Sequence, residues 1–306
     1  MSFVDRLHGW ALGWFRQPKP GLVTMQRTDD GGQTWQLVTP PTTEPGQVVT
    51  QVRFDDRENG WAFGLALYAT HDGGSTWTRE RLGGPVAALQ PAGQTVWAVA
   101  RGRLWTSRPG ADRWHRVPGA PLIRGSVSGL ARNGPDRAWL LWSAGGPPDR
   151  PASHLMATFN GGKTWERLAV PCGKYSFREQ LAAAGRSLWL FCGDYYGAGS
   201  ERGRLYRSLD EGRSWGAAGP EMTFLCCPHM FPRSARTVWV DNAYPLIVSH
   251  DSGRTWRETL EASGAGWGVL FPASHAILAW TERFLYLSAD DGRHWRHLRM
   301  TPSGCG

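Results

Sequence analysis

One octapeptide, Ser/Thr-x-Asp-x-Gly-x-Thr-Trp, returns along the whole chain: TDDGGQTW from Thr28, THDGGSTW from Thr70, TFNGGKTW from Thr158, SLDEGRSW from Ser208, SHDSGRTW from Ser249 and SADDGRHW from Ser288. A worn seventh copy, TSRPGADRW from Thr106 to Trp114, reads with Arg108 in place of the Asp and one residue extra. Self-similarity at a fixed period marks a repeat architecture, in which no unit can bury its apolar face alone. A catalytic role for one such Asp would have to be shared by six equivalent positions, so the box reads as scaffold. Its Asp accepts N–H groups of its own tight turn, its Gly takes a positive φ, and its Trp packs an indole into the sheet. Asp30, Trp35, Asp72, Trp77, Asn160, Trp165, Asp210, Trp215, Asp251, Trp256, Asp290 and Trp295 are the structural residues this predicts.

A second signature precedes each copy: HGWALG at Trp10, NGWAFG at Trp61, TVWAVA at Trp97, RAWLLW at Trp139, SLWLFC at Trp189 and TVWV at Trp239, with Ile277 or Leu278 replacing the Trp in HAILAW. Together the two signatures use 13 of the 18 tryptophans, so most of the tryptophan is architectural. Between them run short segments of alternating apolar, β-branched and aromatic residues punctuated by Gly, Asp, Asn and Pro, and no window of helical period competes. Unit two shows the pattern as VVTQVRF, GWAFG, LALYAT, the box, then WTRERL.

From box Asp to box Asp, with Arg108 and Asn160 standing in, the spacings are 42, 36, 52, 50, 41 and 39 residues. Four strands per such period is the pattern of a β-propeller. The sequence predicts an all-β, seven-bladed propeller with four antiparallel strands per blade and box hairpins between the third and fourth strands. It is read as one domain over 1–306, with blades at about 1–46, 47–84, 85–120, 121–170, 171–219, 220–262 and 263–306, and Met1 to Val4 supplying the first inner strand.

Composition narrows the function classes. The formal charge of +8 comes almost wholly from arginine, scattered without a basic run, and no nucleic-acid-binding motif appears, so nucleic acid is not an expected partner. No apolar stretch approaches the ~20 residues of a helical membrane span. The five cysteines form no paired CxxC knuckles. Cys226-Cys227-Pro228-His229-Met230 brings thiolate, imidazole and thioether together. Placed on the inner strand of blade six, however, its neighbouring side chains diverge, and buried packing rather than metal binding is expected there. Neither a metal nor a cofactor is expected.

The composite FxD, GWAxG and T-x-DGG-x-TW, seen from Phe3 to Trp35 and from Phe54 to Trp77, resembles the Asp-box or BNR-repeat propellers. These include sialidases, xyloglucanase-type glycosidases, the sortilin receptor domain and the Ycf48-like photosystem II assembly factors, to which the composite is most similar. The resemblance implies function on the face opposite the boxes. Three elaborated segments fall there, Ser143 to His154, Pro171 to Glu179 and Gly193 to Arg204, all read as connections of blades four and five. They supply Tyr175, Arg178, Glu179, Asp194, Tyr195, Tyr196, Glu201, Arg202 and His154, a set of aromatics, arginines and carboxylates suited to a protein segment or a glycan.

No catalytic set is assigned. The Arg-Ile-Pro motif of sialidases is missing, and the xyloglucanase type uses two tandem propellers. The expected function is therefore a non-enzymatic binding or assembly module, with a carbohydrate-active enzyme on the same face as the alternative. Cys172 and Cys192 can pair in an oxidising compartment, pinning a loop of about 20 residues. An exported, monomeric protein whose leader has been removed just before Phe3 is expected, with a cytoplasmic form as the alternative.

Overall fold

The computed structural model describes residues 1–14, 23–41, 48–144, 153–173, 176–197, 200–225, 228–241, 245–261, 268–272, 275–281 and 284–298. Every regular element in it is a β-strand. The strands form seven sheets, each with four strands that follow one another in chain order, and the fold is a seven-bladed β-propeller. The chain divides into two compact units. One comprises Met1–Val117, Leu270–Leu278 and Phe284–Gly306, the other Pro118–Val269 and Ala279–Arg283. Blades one to three lie in the first unit and blades four to six in the second.

The box performs its turn in the same way in each of the six regular copies. In blade six, Asp251 Oδ1 accepts the Thr255 N–H at 2.9 Å and the Ser249 hydroxyl at 2.8 Å, while Oδ2 accepts the Thr255 hydroxyl at 2.6 Å. The Ser249 hydroxyl in turn accepts the Gly253 N–H at 2.7 Å. Substituted copies keep the scheme: the Asn160 amide takes the carboxylate's place, and in the last box His294 Nδ1 meets Asp290 Oδ2 at 2.6 Å where the others use a hydroxyl.

These bonds favour the ionised acid. The Thr255 hydroxyl, then its N–H, hold Asp251 well below the usual carboxylate range, and the Ser214 hydroxyl and N–H hold Asp210 down to about 2. Asp30, Asp72 and Asp290 are lowered as well. A group with a depressed folded-state pKa contributes stability above its ordinary value near 3.9, and that contribution is lost as pH falls through the folded value. Urea unfolding should therefore show stability dropping between about pH 4 and pH 2. Asp251→Asn should flatten that slope, and an unchanged slope would refute the turn's electrostatic role.

The fourth box position adopts the left-handed conformation whatever its residue: Gly31, Gly73 and Gly161, but also Glu211 (φ 64°), Ser252 (φ 71°) and Asp291 (φ 59°). Each of these three residues is tied down by its side chain. Glu211 is ringed by Arg137 (2.9 Å), Arg186 (3.2 Å) and Arg213 (3.6 Å), Ser252 meets Arg207, and Asp291 meets His275 Nδ1 at 2.8 Å. Such contacts offset the roughly 1 kcal/mol that a Cβ costs in this region.

The second-strand tryptophans join neighbouring blades. Trp10 Nε1 donates to Gly73 O in the next box at 2.8 Å, and Trp139 Nε1 donates to Glu211 O at 2.8 Å. Leu278 replaces the Trp in blade seven and lies beside Gly32 of the first box, much as Trp10 lies beside Gly74. The glycine before Trp10 and before Trp61 is steric: a Cβ at Gly9 or Gly60 would fall on the ring of Phe3 or Phe54, which explains why FxD and GW travel together. Phe54 in turn stacks on Trp10 at 3.7 Å.

Blade three corrects the reading of the worn box. Trp97 pairs with Thr106 and Val96 with Ser107, whereas in blade two Trp61 pairs with Ala69 and Gly60 with Thr70. Ser107, not Thr106, is thus the box hydroxyl. It is buried like its equivalents and accepts the Arg113 N–H at 3.1 Å. The copy is then eight residues long, Ser107 to Trp114, with no insertion: Pro109 stands for the Asp and Arg113 for the Thr. Two adjacent hydroxyl residues hid this register, because only the strand pairing distinguishes them.

Candidate functional site

Blade five is built out beyond the repeat. Its inner strand, Ser176–Ala184, pairs with a second strand of 11 residues, Ser187–Gly197, and this pairs with a third of 9, Ser200–Ser208. The stretch from Gly193 to Arg204, read as a loop, is therefore mostly a hairpin extension, at the opposite end of the third strand from the box. A fifth strand, Met222–Leu225, pairs with the extension through Ser200–Leu225, Glu201–Phe224, Arg202–Thr223 and Gly203–Met222. This segment was assigned to blade six, whose inner strand instead is Met230–Pro232. Composition concealed both features, since Gly, Asp and Ser are turn residues and the added strand shows no alternation that separates it from an inner strand.

One face of the extension turns toward blade four. Cys192 lies opposite Glu179 and Asp194 lies two residues further along, so the period of two puts all three side chains on that face. Cys192 is joined to Cys172 by a disulfide and belongs to a core cluster shared with Trp139, Leu141 and Leu155 of blade four. Glu179 is only 8% exposed. Its Oε1 accepts the Ser153 hydroxyl of blade four at 2.5 Å, while its Oε2 has no hydrogen-bond partner among the described residues. Burial raises its carboxyl above the usual range. Asp194 is also raised, by burial and then by the Glu221 charge, against the pull of Arg202. Glu221 bridges Arg202 at 3.0 Å and Arg204 at 3.8 Å.

A carboxyl raised in the folded state contributes fully below its unfolded value, and the contribution is lost as pH climbs through the folded one. Glu179→Gln keeps the Ser153 bond and removes the titration. The variant should gain on the wild type as pH rises above about 4.5, read by paired thermal melts from pH 4 to 8. Parallel pH curves would show that Glu179 titrates normally.

The other face carries Arg178 and Glu201, paired at 3.2 Å, with the Glu201 side chain 5% exposed. Glu201 lies over Gly193 and Phe191 covers Gly203, so both glycines are required by close approach. Phe224, from the fifth strand, closes edge-on against Phe191 at 5.5 Å. Gln180 extends the assembly to blade six, donating to Pro228 O at 2.7 Å and accepting the Met230 N–H at 3.0 Å.

The structure thus gathers Arg178, Glu179, Asp194, Glu201 and Arg202 on one blade but divides them between its two faces. Tyr195 and Tyr196 lie in the second strand, with Tyr195 opposite Glu201. His154 lies on blade four, where it stacks on Trp142 at 5.0 Å. Burial, then the Arg167 charge, lower its pKa. Tyr175, Cys226, Cys227 and the stretch 145–152 lie outside the described residues. Ser153, Gln180, Glu221 and Phe224 were missed, because their roles depend on strands brought alongside by the fold. Among the described residues no group of three or more His, Cys, Asp or Glu could hold a metal ion. No helix among them is long and apolar enough to cross a membrane.

A family model, the BNR/Asp-box repeat, matches residues 26–37. No curated protein matches the sequence significantly. Among solved structures, Ycf48 bound to a D1 peptide is similar at 19% identity and a TM-score of 0.62, over 97% of this chain and 92% of its own. The GH74 xyloglucanase from Xanthomonas campestris is similar at 13% identity and a TM-score of 0.61, over 97% of this chain and 59% of that one. An ancestral GH74 enzyme matches at 12% identity and a TM-score of 0.62, over 93% of this chain and 45% of that one. At these identities the likeness concerns fold alone. With six regular boxes and seven sheets each built on four consecutive strands, the chain is a seven-bladed β-propeller built on BNR/Asp-box repeats.

Proposed function

We propose that this chain is a non-catalytic binding or assembly module that holds an extended protein segment against the built-out end of blade five. The observation that carries this reading is the fifth strand. The hairpin extension accepts Met222–Leu225 edge to edge, the mode by which sheets take up peptides. The Arg178–Glu201 pair and the Cys172–Cys192 disulfide stiffen the platform, which lowers the ordering cost of binding. That a similar propeller, Ycf48, has been solved with a peptide supports a protein partner. The disulfide supports an exported protein, since such bonds persist in oxidising compartments.

A second reading, a carbohydrate-active enzyme, is favoured by one observation: Glu179 and Asp194 share a face and both are raised, as general acids require. Selecting a displayed random-peptide library on the immobilised protein, beside a fluorogenic glycoside panel, separates the two. Enriched peptides should lose roughly tenfold or more in affinity to Arg202→Ala/Arg204→Ala, the scale expected of exposed charged contacts at an interface, with the glycosides left intact. Glycoside turnover abolished by Asp194→Asn, or a library without enrichment, would overturn the binding reading.

A further inference from the structure

The worn turn of blade three is held from outside. Every regular box ties itself together through its own Asp or Asn, but Pro109 removes that side chain from Ser107–Trp114. Instead Asp112, in the left-handed region at φ 48°, reaches His71 of the preceding box, with Oδ2 2.7 Å from Nε2. The other ring nitrogen, Nδ1, lies 2.8 Å from Asn59 Oδ1. Asn59 cannot turn its amide around, because its Nδ2 donates to Asp56 Oδ2 at 2.8 Å, and Asp56 Oδ1 is in turn fixed by the Glu58 and Asn59 N–H groups at 2.8 and 2.7 Å. Both nitrogens of His71 therefore face acceptors, and only the imidazolium, with two N–H donors, satisfies both.

A second proton belongs to the same cluster. Glu80, on the outer strand of blade two, is pushed up to about 7 by burial and then by the Asp112 charge, against the pull of His71 and of the Trp114 indole N–H. The ionisable groups facing His71 are thus Asp112 from the blade-three turn, Asp56 from the first turn of blade two, and Glu80 from its outer strand.

We infer that these residues form a two-proton clasp that fastens the blade-three turn to blade two in mildly acidic conditions and weakens as pH rises toward neutrality. In the closed state an imidazolium lies between Asp112 and Asn59 beside a neutral Glu80. Losing the ring proton sets a lone pair against an acceptor oxygen. Losing the Glu80 proton places a second carboxylate beside Asp112. Both losses act in the same direction. For Glu80 the sign follows from linkage: its contribution is complete below its ordinary value near 4.5 and disappears as pH climbs to about 7.

Hydrogen exchange read by mass spectrometry on the whole chain, corrected for intrinsic rates, tests the clasp. Protection of residues 108–114 should fall by roughly fivefold or more from pH 6 to pH 8, while the regular turn 249–256 changes less than about twofold. Glu80→Gln, close in shape, should keep the protection at pH 6 and weaken its pH response. His71→Leu should give the low value at both pH values. A wild-type ratio that stays flat, a response equally large at 249–256, or an undiminished response in His71→Leu would each overturn the inference. So would a neutral His71 ring at pH 6 by side-chain NMR.

Discussion

Replacing Cys172 and Cys192 with serine lowers the melting temperature by roughly 6–12 °C. The bond spans a sequence separation of 20. Closing a loop of that length constrains the unfolded chain by about 3 kcal/mol, and in a protein of this size each kcal/mol moves the midpoint by roughly 2–4 °C. The closed loop contains the whole inner strand of blade five. Its loss frees the one strand that carries Arg178, Glu179 and Gln180, and so reaches both faces of the candidate site. Differential scanning with and without reductant checks this. Wild type with reductant should melt like the double variant, and the variant should ignore reductant. Coincident melts for wild type and variant without reductant would show that the bond adds nothing.

The second large effect concerns the tryptophans that join blades. Trp139→Ala should cost about 3–5 kcal/mol, because it removes a fully buried indole and leaves a cavity between two blades. The finer comparison is with phenylalanine. In Trp139→Phe the Glu211 carbonyl loses its donor at a buried site, adding about 1–3 kcal/mol to the packing loss. Trp61 holds the same place in blade two and is equally buried, but it faces the worn turn, and its Nε1 finds no acceptor among the described residues. Trp61→Phe therefore sacrifices only packing. Chemical denaturation of the two Phe variants should rank Trp139 well above Trp61, and equal costs would mean that the indole N–H bonds are energetically silent.

What could be read in advance follows the range of the interactions. A box is a local object. Its hydroxyl, acid, glycine and tryptophan lie within eight residues, so Ser249 to Trp256 announces its own turn wherever the chain places it. Blade number and strand order follow by counting. Glu201 shows the opposite case. It is an acid between two Gly-rich stretches and looks solvent-facing, yet it is buried because Gly193 clears space on one strand and Arg178 arrives on another. The register of Ser107 and the capture of Met222–Leu225 by blade five failed for the same reason, since both are decided by which strand lies alongside. The function of the gathered residues is one step more remote again, because no strand register states it.

The three tied residues at the fourth box position bear on how a chain of near-copies avoids misassembly. Repeats with similar strands invite one unit to pair in another's place. Glu211 meets Arg137 and Ser252 meets Arg207, each on the preceding blade, whereas Asp291 is held by His275 of its own blade. A side chain that looks like a tolerated departure from glycine thus fastens two of these turns to the blade before them.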